Sequence, residues 1–188
     1  MDPVWLALAR LTFTDPRAAA RALLGAGFPR SEHPALLALV AALGGTVFAA
    51  ANLLAPPPEG TTPHLSGFVA GLMVGASVFI TTGIVLLAGR LFGSRAEAPD
   101  AMLLVLWLEL LSVAVQAALL VVTFVLPAAG LGLSLLYLFL FIWLLSSFTA
   151  ELHGLDSAAR GFVGLAAATL ALGFALALMQ AVLSALFA

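Results

Sequence analysis

At 188 residues, with 63% hydrophobic and 9% charged side chains, this chain has far too little ionic surface for a soluble domain, where about 25% charge is usual. A net charge of −2 gives no sign of nucleic-acid binding, and zero cysteine excludes disulfides, thiol catalysis and thiolate metal sites. Long apolar stretches take up most of the chain and leave nothing for a second soluble domain, so the expected class is all-α, a membrane bundle of five helices preceded by short amphipathic interfacial helices.

Segment 1–33 does not span. Asp2-Pro3 and Asp15-Pro16 each place a carboxylate at an N-cap position and proline at the first helical position, so two short helices are expected. On the first, Val4, Trp5, Leu8 and Leu11 share a face while Arg10 points elsewhere; on the second, Arg17 and Arg21 sit four apart beside Ala19, Ala22, Leu23 and Ala26. Both fit interfacial helices, with Trp5 at headgroup depth and Arg10, Arg17 and Arg21 meeting anionic lipid phosphates. Packing on the inner rim of the bundle is the alternative.

The transmembrane domain, 34–188, carries spans near 34–55, 66–89, 101–126, 130–150 and 159–187, each long enough for a hydrocarbon layer of roughly 30 Å. Pro56-Pro57-Pro58-Glu59-Gly60 and Pro63 make 56–65 a stiff connection after the first span. Gly67, Gly71 and Gly75 recur every four residues on the second, a groove for close approach of another backbone, within the bundle or in a homo-oligomer. Asp100 is a candidate cap for the third span, Pro127 with Gly130 and Gly132 marks a tight turn after it, His153-Gly154 ends the fourth, and Asp156 is a candidate cap for the fifth.

All seven basic residues are arginines, and they fall in alternate segments: four before the first span, two between the second and third, one after the fourth. The positive-inside rule then puts the N-terminus in the cytoplasm and the C-terminus outside. Arginine without lysine, in a chain rich in Ala, Gly and Leu, fits a GC-rich bacterial genome and hence the bacterial cytoplasmic membrane.

Polar groups inside the spans come next, since an aspartate at a helix centre costs about 2.5–3.5 kcal/mol on insertion scales. Glu109 is the one acid well inside a span, and Ser112, Gln116 and Thr123 continue its face. Counting rise per residue places Thr81 and Thr82 of the second span at the same depth, which suggests a contact with Glu109. The stripe is either a polar clamp between helices or the proton- or cation-binding track of a small transporter. Glu151 and His153 share the end of the fourth span but point apart at i and i+2, so they make no metal pair. With no HExxH, no Walker lysine and no dinucleotide fingerprint, neither an enzyme nor a cofactor is expected.

The segment Thr12-Phe13-Thr14-Asp15-Pro16-Arg17-Ala18-Ala19, then Trp107-Leu108-Glu109, Pro127, and above all Phe148-Thr149-Ala150-Glu151-Leu152-His153-Gly154-Leu155 before an arginine-bearing fifth helix, resemble the bacterial branch of the Yip1 family. The aspartate-leucine-tyrosine-glycine-proline motif of eukaryotic members is absent, so their binding to small GTPases is not carried over. The resemblance implies a polytopic helical membrane protein with an organising or adaptor role and no catalytic residues. Three readings follow: a non-enzymatic membrane organiser, a small transporter or channel using Glu109, and an accessory subunit docked on a larger complex through the glycine face of the second span.

Overall fold

The computed structural model describes residues 4–54 and 65–187, the last with side chains through Ser184. The expectations for Asp2-Pro3 and the prolines at 56–58 and 63 lie outside the described residues. Among the described residues seven α-helices run in order: α1 (Val4–Thr14), α2 (Pro16–Gly25), α3 (His33–Leu54), α4 (Gly67–Arg90), α5 (Ala98–Val125), α6 (Pro127–Leu152) and α7 (Ala158–Phe187), with a 3-10 turn, Arg30–Glu32, leading into α3. No strand occurs among the described residues. Helices α3 to α7 are each long and apolar enough to cross a membrane.

The five long helices form a ring in the order α3, α5, α6, α7, α4, and α4 also touches α5 across its middle. Two buried clusters hold the ring together. Val40, Val78, Val85, Val105, Leu106 and Leu165 join α3, α4, α5 and α7, while Leu23, Leu104, Trp107, Leu108, Leu144 and Phe148 join α2, α5 and α6. Every residue of α5 from Leu103 to Leu108 is buried, so this helix is the axis of the fold. Outward faces are apolar too: Phe68, Leu131, Leu170 and Phe174 are exposed, as befits side chains whose solvent is lipid.

Lipid tails are as apolar as leucine, so helix contact relies on close packing, and small residues set it. The expected glycine face of α4 lies against α3. A Cβ on Gly67 would come within 2.8 Å of the Gly45 carbonyl oxygen, and one on Gly71 within 2.7 Å of the Ala41 carbonyl oxygen. Gly75 is looser, with only the Ala41 methyl at 3.8 Å. The chain's own α3 therefore packs on this face, the within-bundle alternative for the glycine spacing. Gly161 of α7 similarly admits the Ser146 carbonyl of α6.

Some caps differ from expectation. Asp15 does cap α2, accepting from the Ala18 N–H at 3.0 Å with Pro16 first in the helix. Asp100, however, falls in the first turn of α5, because Pro99 is tolerated at the start of a helix and the chain turns helical at Ala98. Pro127 likewise opens α6 instead of sitting in a turn, which leaves Leu126 as the single residue between α5 and α6. At α7 the Ser157 hydroxyl accepts from the Arg160 N–H at 3.4 Å, and Asp156 instead forms an ion pair with the Arg160 guanidinium.

All seven arginines lie on α1, α2 or the α3–α5–α7 starts and α4 end that gather at one end of the bundle, called here the arginine end.

Candidate functional site

The segment from Phe148 to Leu155 builds a node at the arginine end. Its turn closes in a Schellman pattern: Leu155 N–H donates to the Ala150 carbonyl at 2.8 Å and Gly154 N–H to the Glu151 carbonyl at 3.2 Å. Gly154 holds φ +65°, which the pattern requires and a side chain would resist. This turn sends Glu151 and His153 to opposite neighbours, as their i, i+2 spacing implies.

Glu151 faces α2. Its Oε2 accepts from Arg17 Nε and from Arg21 Nη1, each at 2.9 Å. Arg17 also donates Nη2–H to the Leu155 carbonyl at 2.8 Å and Nη1–H to the Asp156 carbonyl at 3.1 Å, so one guanidinium fastens α2 across the whole α6–α7 turn. Arg17 and Arg21 were expected at lipid phosphates; the structure joins them to Glu151 and packs α2 on α5 and α6, the rim-packed alternative.

His153 faces α4. Its Nε2 lies 2.9 Å from the Val85 carbonyl oxygen, which can only accept, so Nε2 carries the proton. Nδ1, 2.9 Å from Ser94 Oγ, is then the acceptor of the serine proton. The imidazole lies flat in the space left by Gly89, where any Cβ would overlap the ring. Helix α4 ends in the same Schellman pattern, with Ser94 N–H to the Gly89 carbonyl and Gly93 N–H to the Arg90 carbonyl, both 3.0 Å, and Gly93 at φ +78°. One imidazole thus interlocks two helix ends.

Burial pushes the His153 imidazole below its ordinary value, opposed in part by its bond to the Val85 carbonyl. Folded protein keeps His153 neutral where the unfolded chain would already take up a proton, so this contribution is complete above about pH 6.5 and is lost as pH falls toward the folded value. The melting temperature of detergent-solubilised protein is therefore expected to be lower at pH 5.5 than at pH 7.5. His153→Gln should flatten that slope; an identical slope in the variant would refute the assignment.

Trp107 anchors α1. Its Nε1–H donates to Thr12 Oγ1 at 3.0 Å, and the Thr12 hydroxyl passes its own proton to the Leu8 carbonyl at 2.9 Å. Trp5 was expected at headgroup depth; its ring packs 6.1 Å from Trp107 and 5.9 Å from Phe28, with half its surface still exposed. Arg10 is exposed on the same helix. Between α1, α2, α3 and α5 these aromatic rings border an apolar cavity of about 610 Å³, closed below by Leu36, Val40 and Leu106.

Nearer the opposite end, a second cavity of about 600 Å³ carries the polar stripe. Glu109, Gln116, Thr123, Ser134 and Tyr137 line it from α5 and α6, and Gly44, Phe48 and Met73 from α3 and α4. Tyr137 O–H donates to Ser112 Oγ at 2.6 Å, and Gln116 flanks the phenol. The expected Glu109 contact with Thr81 or Thr82 is not made among the described residues: the Thr82 hydroxyl bonds the Val78 carbonyl of its own helix at 2.7 Å. Equal depth does not fix rotation about a helix axis, and α5 turns this stripe toward α6.

Sequence reasoning missed Gly89, Ser94 as a histidine partner, and Tyr137. Tyr137 had a signal, being the chain's one tyrosine and set within an apolar span. Gly89 had none, since its meaning comes from a ring brought by another helix. Among the described residues no group of three or more His, Asp or Glu is placed to hold a metal ion.

A family model described as Yip1 domain matches residues 10–179. No curated protein and no solved structure matches the chain.

Proposed function

The chain belongs to the Yip1 domain family, and from that premise we propose that it is a non-enzymatic multi-pass membrane protein that organises lipid or protein partners at its arginine end. The observation that supports this reading is the construction of that end: the Arg17–Glu151 and His153–Ser94 contacts make a rigid platform, and cationic side chains crowd around it. The opposite end offers no basic residue. By the positive-inside rule the arginine end is cytoplasmic, which gives N-in, C-out topology in a bacterial inner membrane.

Photoreactive residues at exposed Ser31 or Asp156 are expected to give discrete, saturable adducts in native membranes, and one at Ala128 is not. In the same cells a cysteine at Ala128 should react with an impermeant thiol reagent added outside, and one at Asp156 should not. Adducts confined to Ala128 would reverse the functional reading, and labelling of Asp156 from outside would reverse the topology.

The second cavity favours another reading, a small transporter or channel using Glu109, because a carboxylate lining a polar intramembrane cavity is placed to bind a proton or cation. Here Glu109→Gln and Glu109→Leu should abolish flux alike in proteoliposomes, since only the carboxylate titrates. A merely structural Glu109 predicts no wild-type flux at all.

A further inference from the structure

Most arginines of the chain are already engaged. Arg17 and Arg21 share Glu151, Arg30 pairs with Glu97, and Arg160 pairs with Asp156. Arg90 and Arg95 differ: among the described residues neither guanidinium has a hydrogen bond or an ion pair. Yet the two line one pocket of about 440 Å³, together with Leu86, Gly93, Ser94 and Ala96.

The pocket has the character of a prepared site. Its backbone is fixed by the Schellman closure of α4, which also satisfies the Gly89 and Arg90 carbonyls and so removes acceptors that would repel an anion. Ser94 is held in place by His153, and its proton is spent there. The carboxylate nearest in sequence, Glu97, is turned away to Arg30. What remains to face a ligand is two guanidiniums, each a planar fork of N–H donors whose geometry matches phosphate oxygens in pairs. Two cations that line one pocket without a counter-charge repel each other, and an anion bound in that pocket relieves the repulsion.

Depth narrows the ligand. Arg90 is the last residue of a helix long enough to span, and Leu86 lies one turn inside it. The pocket therefore straddles the boundary between the apolar layer and the charged surface, the level at which arginines meet lipid phosphates. We propose that Arg90 and Arg95 form a phosphate-binding site, with Leu86 as the apolar wall beside the ligand. The same chemistry can be supplied by a phospholipid headgroup or by inorganic phosphate. The proposal rests on the arginine end being the partner-binding end, but its test reads residues that the cross-linking experiment does not touch.

Purified full-length protein in mild detergent is titrated with four probes while the melting temperature and, by native mass spectrometry, bound lipid are followed. Phosphatidylglycerol is compared with monogalactosyl diacylglycerol of the same chains, which has no phosphate; sodium phosphate is compared with sodium chloride at equal ionic strength. Preference for phosphatidylglycerol assigns the site to a lipid headgroup, and preference for phosphate over chloride assigns it to the soluble ion. In either case Arg90→Gln/Arg95→Gln is expected to weaken the preferred probe at least about tenfold, as loss of charge-assisted hydrogen bonds implies. Both side chains are exposed and unpaired, so the variant should fold; if it does not, Arg90→Gln and Arg95→Gln are read singly against the same probes. No preference within either pair, or a folded double variant that binds as wild type does, would overturn the proposal.

Discussion

Gly45→Leu is expected to drive α3 off α4 and to lower stability by about 3 kcal/mol or more, at the upper end of what overpacking costs. The reason lies in what the new side chain would strike. A Cβ on Gly45 falls inside contact distance of the Gly67 carbonyl oxygen and 3.2 Å from Gly71 Cα, both main-chain atoms. A side-chain tip could rotate aside, but a main-chain carbonyl that opens a helix, and the helical Cα one turn on, cannot. Relief requires the helices to part, and parting uncovers the whole Gly45–Gly67–Gly71 seam at once. Gly83 supplies the control, because nothing lies within 4 Å of its added Cβ. Gly83→Ala should be neutral or slightly stabilising, by up to about 1 kcal/mol from helix propensity. Thermal unfolding in one detergent reads both; a Gly45→Leu protein within 1 kcal/mol of wild type would show that the seam is not tightly closed.

That seam was legible because four-residue spacing of glycine says that one face of a helix is bare, whatever meets it. Spans and arginine distribution were legible for the same kind of reason: the bilayer imposes length and charge rules that act on the chain locally. Partner identity is a different matter. Arg17 and Arg21 at i, i+4 fit a lipid surface and a carboxylate equally well, and only the return of Glu151, 134 residues later, settles which. His153 was visible as a helix terminator, through the glycine after it, but its seat on Gly89 depends on how α4 and α6 cross. The Glu109 contact with α4 was not legible, since depth follows from counting residues whereas azimuth follows from packing.

Trp107→Ala is the second large effect expected, about 3–5 kcal/mol for removing a buried tryptophan. Trp107 is 8% exposed and supports α1 in two ways, by its bond to Thr12 and by the face it offers to Trp5. Few other links tie α1 to the long helices, whereas α2 keeps its clamp on Glu151. The loss should therefore be local. Hydrogen exchange across 4–14 is expected to rise sharply in Trp107→Ala while the core of α5 to α7 stays protected. Trp107→Phe separates the two supports, because it retains a ring against Trp5 but removes the N–H, at a cost of about 0.5–1.5 kcal/mol for one hydrogen bond. Graded exchange, with alanine well above phenylalanine and phenylalanine above wild type, would show α1 held chiefly by ring packing. Unchanged exchange of 4–14 in the alanine variant would mean that α1 is anchored elsewhere, and that the apolar cavity it roofs is closed by something other than Trp107.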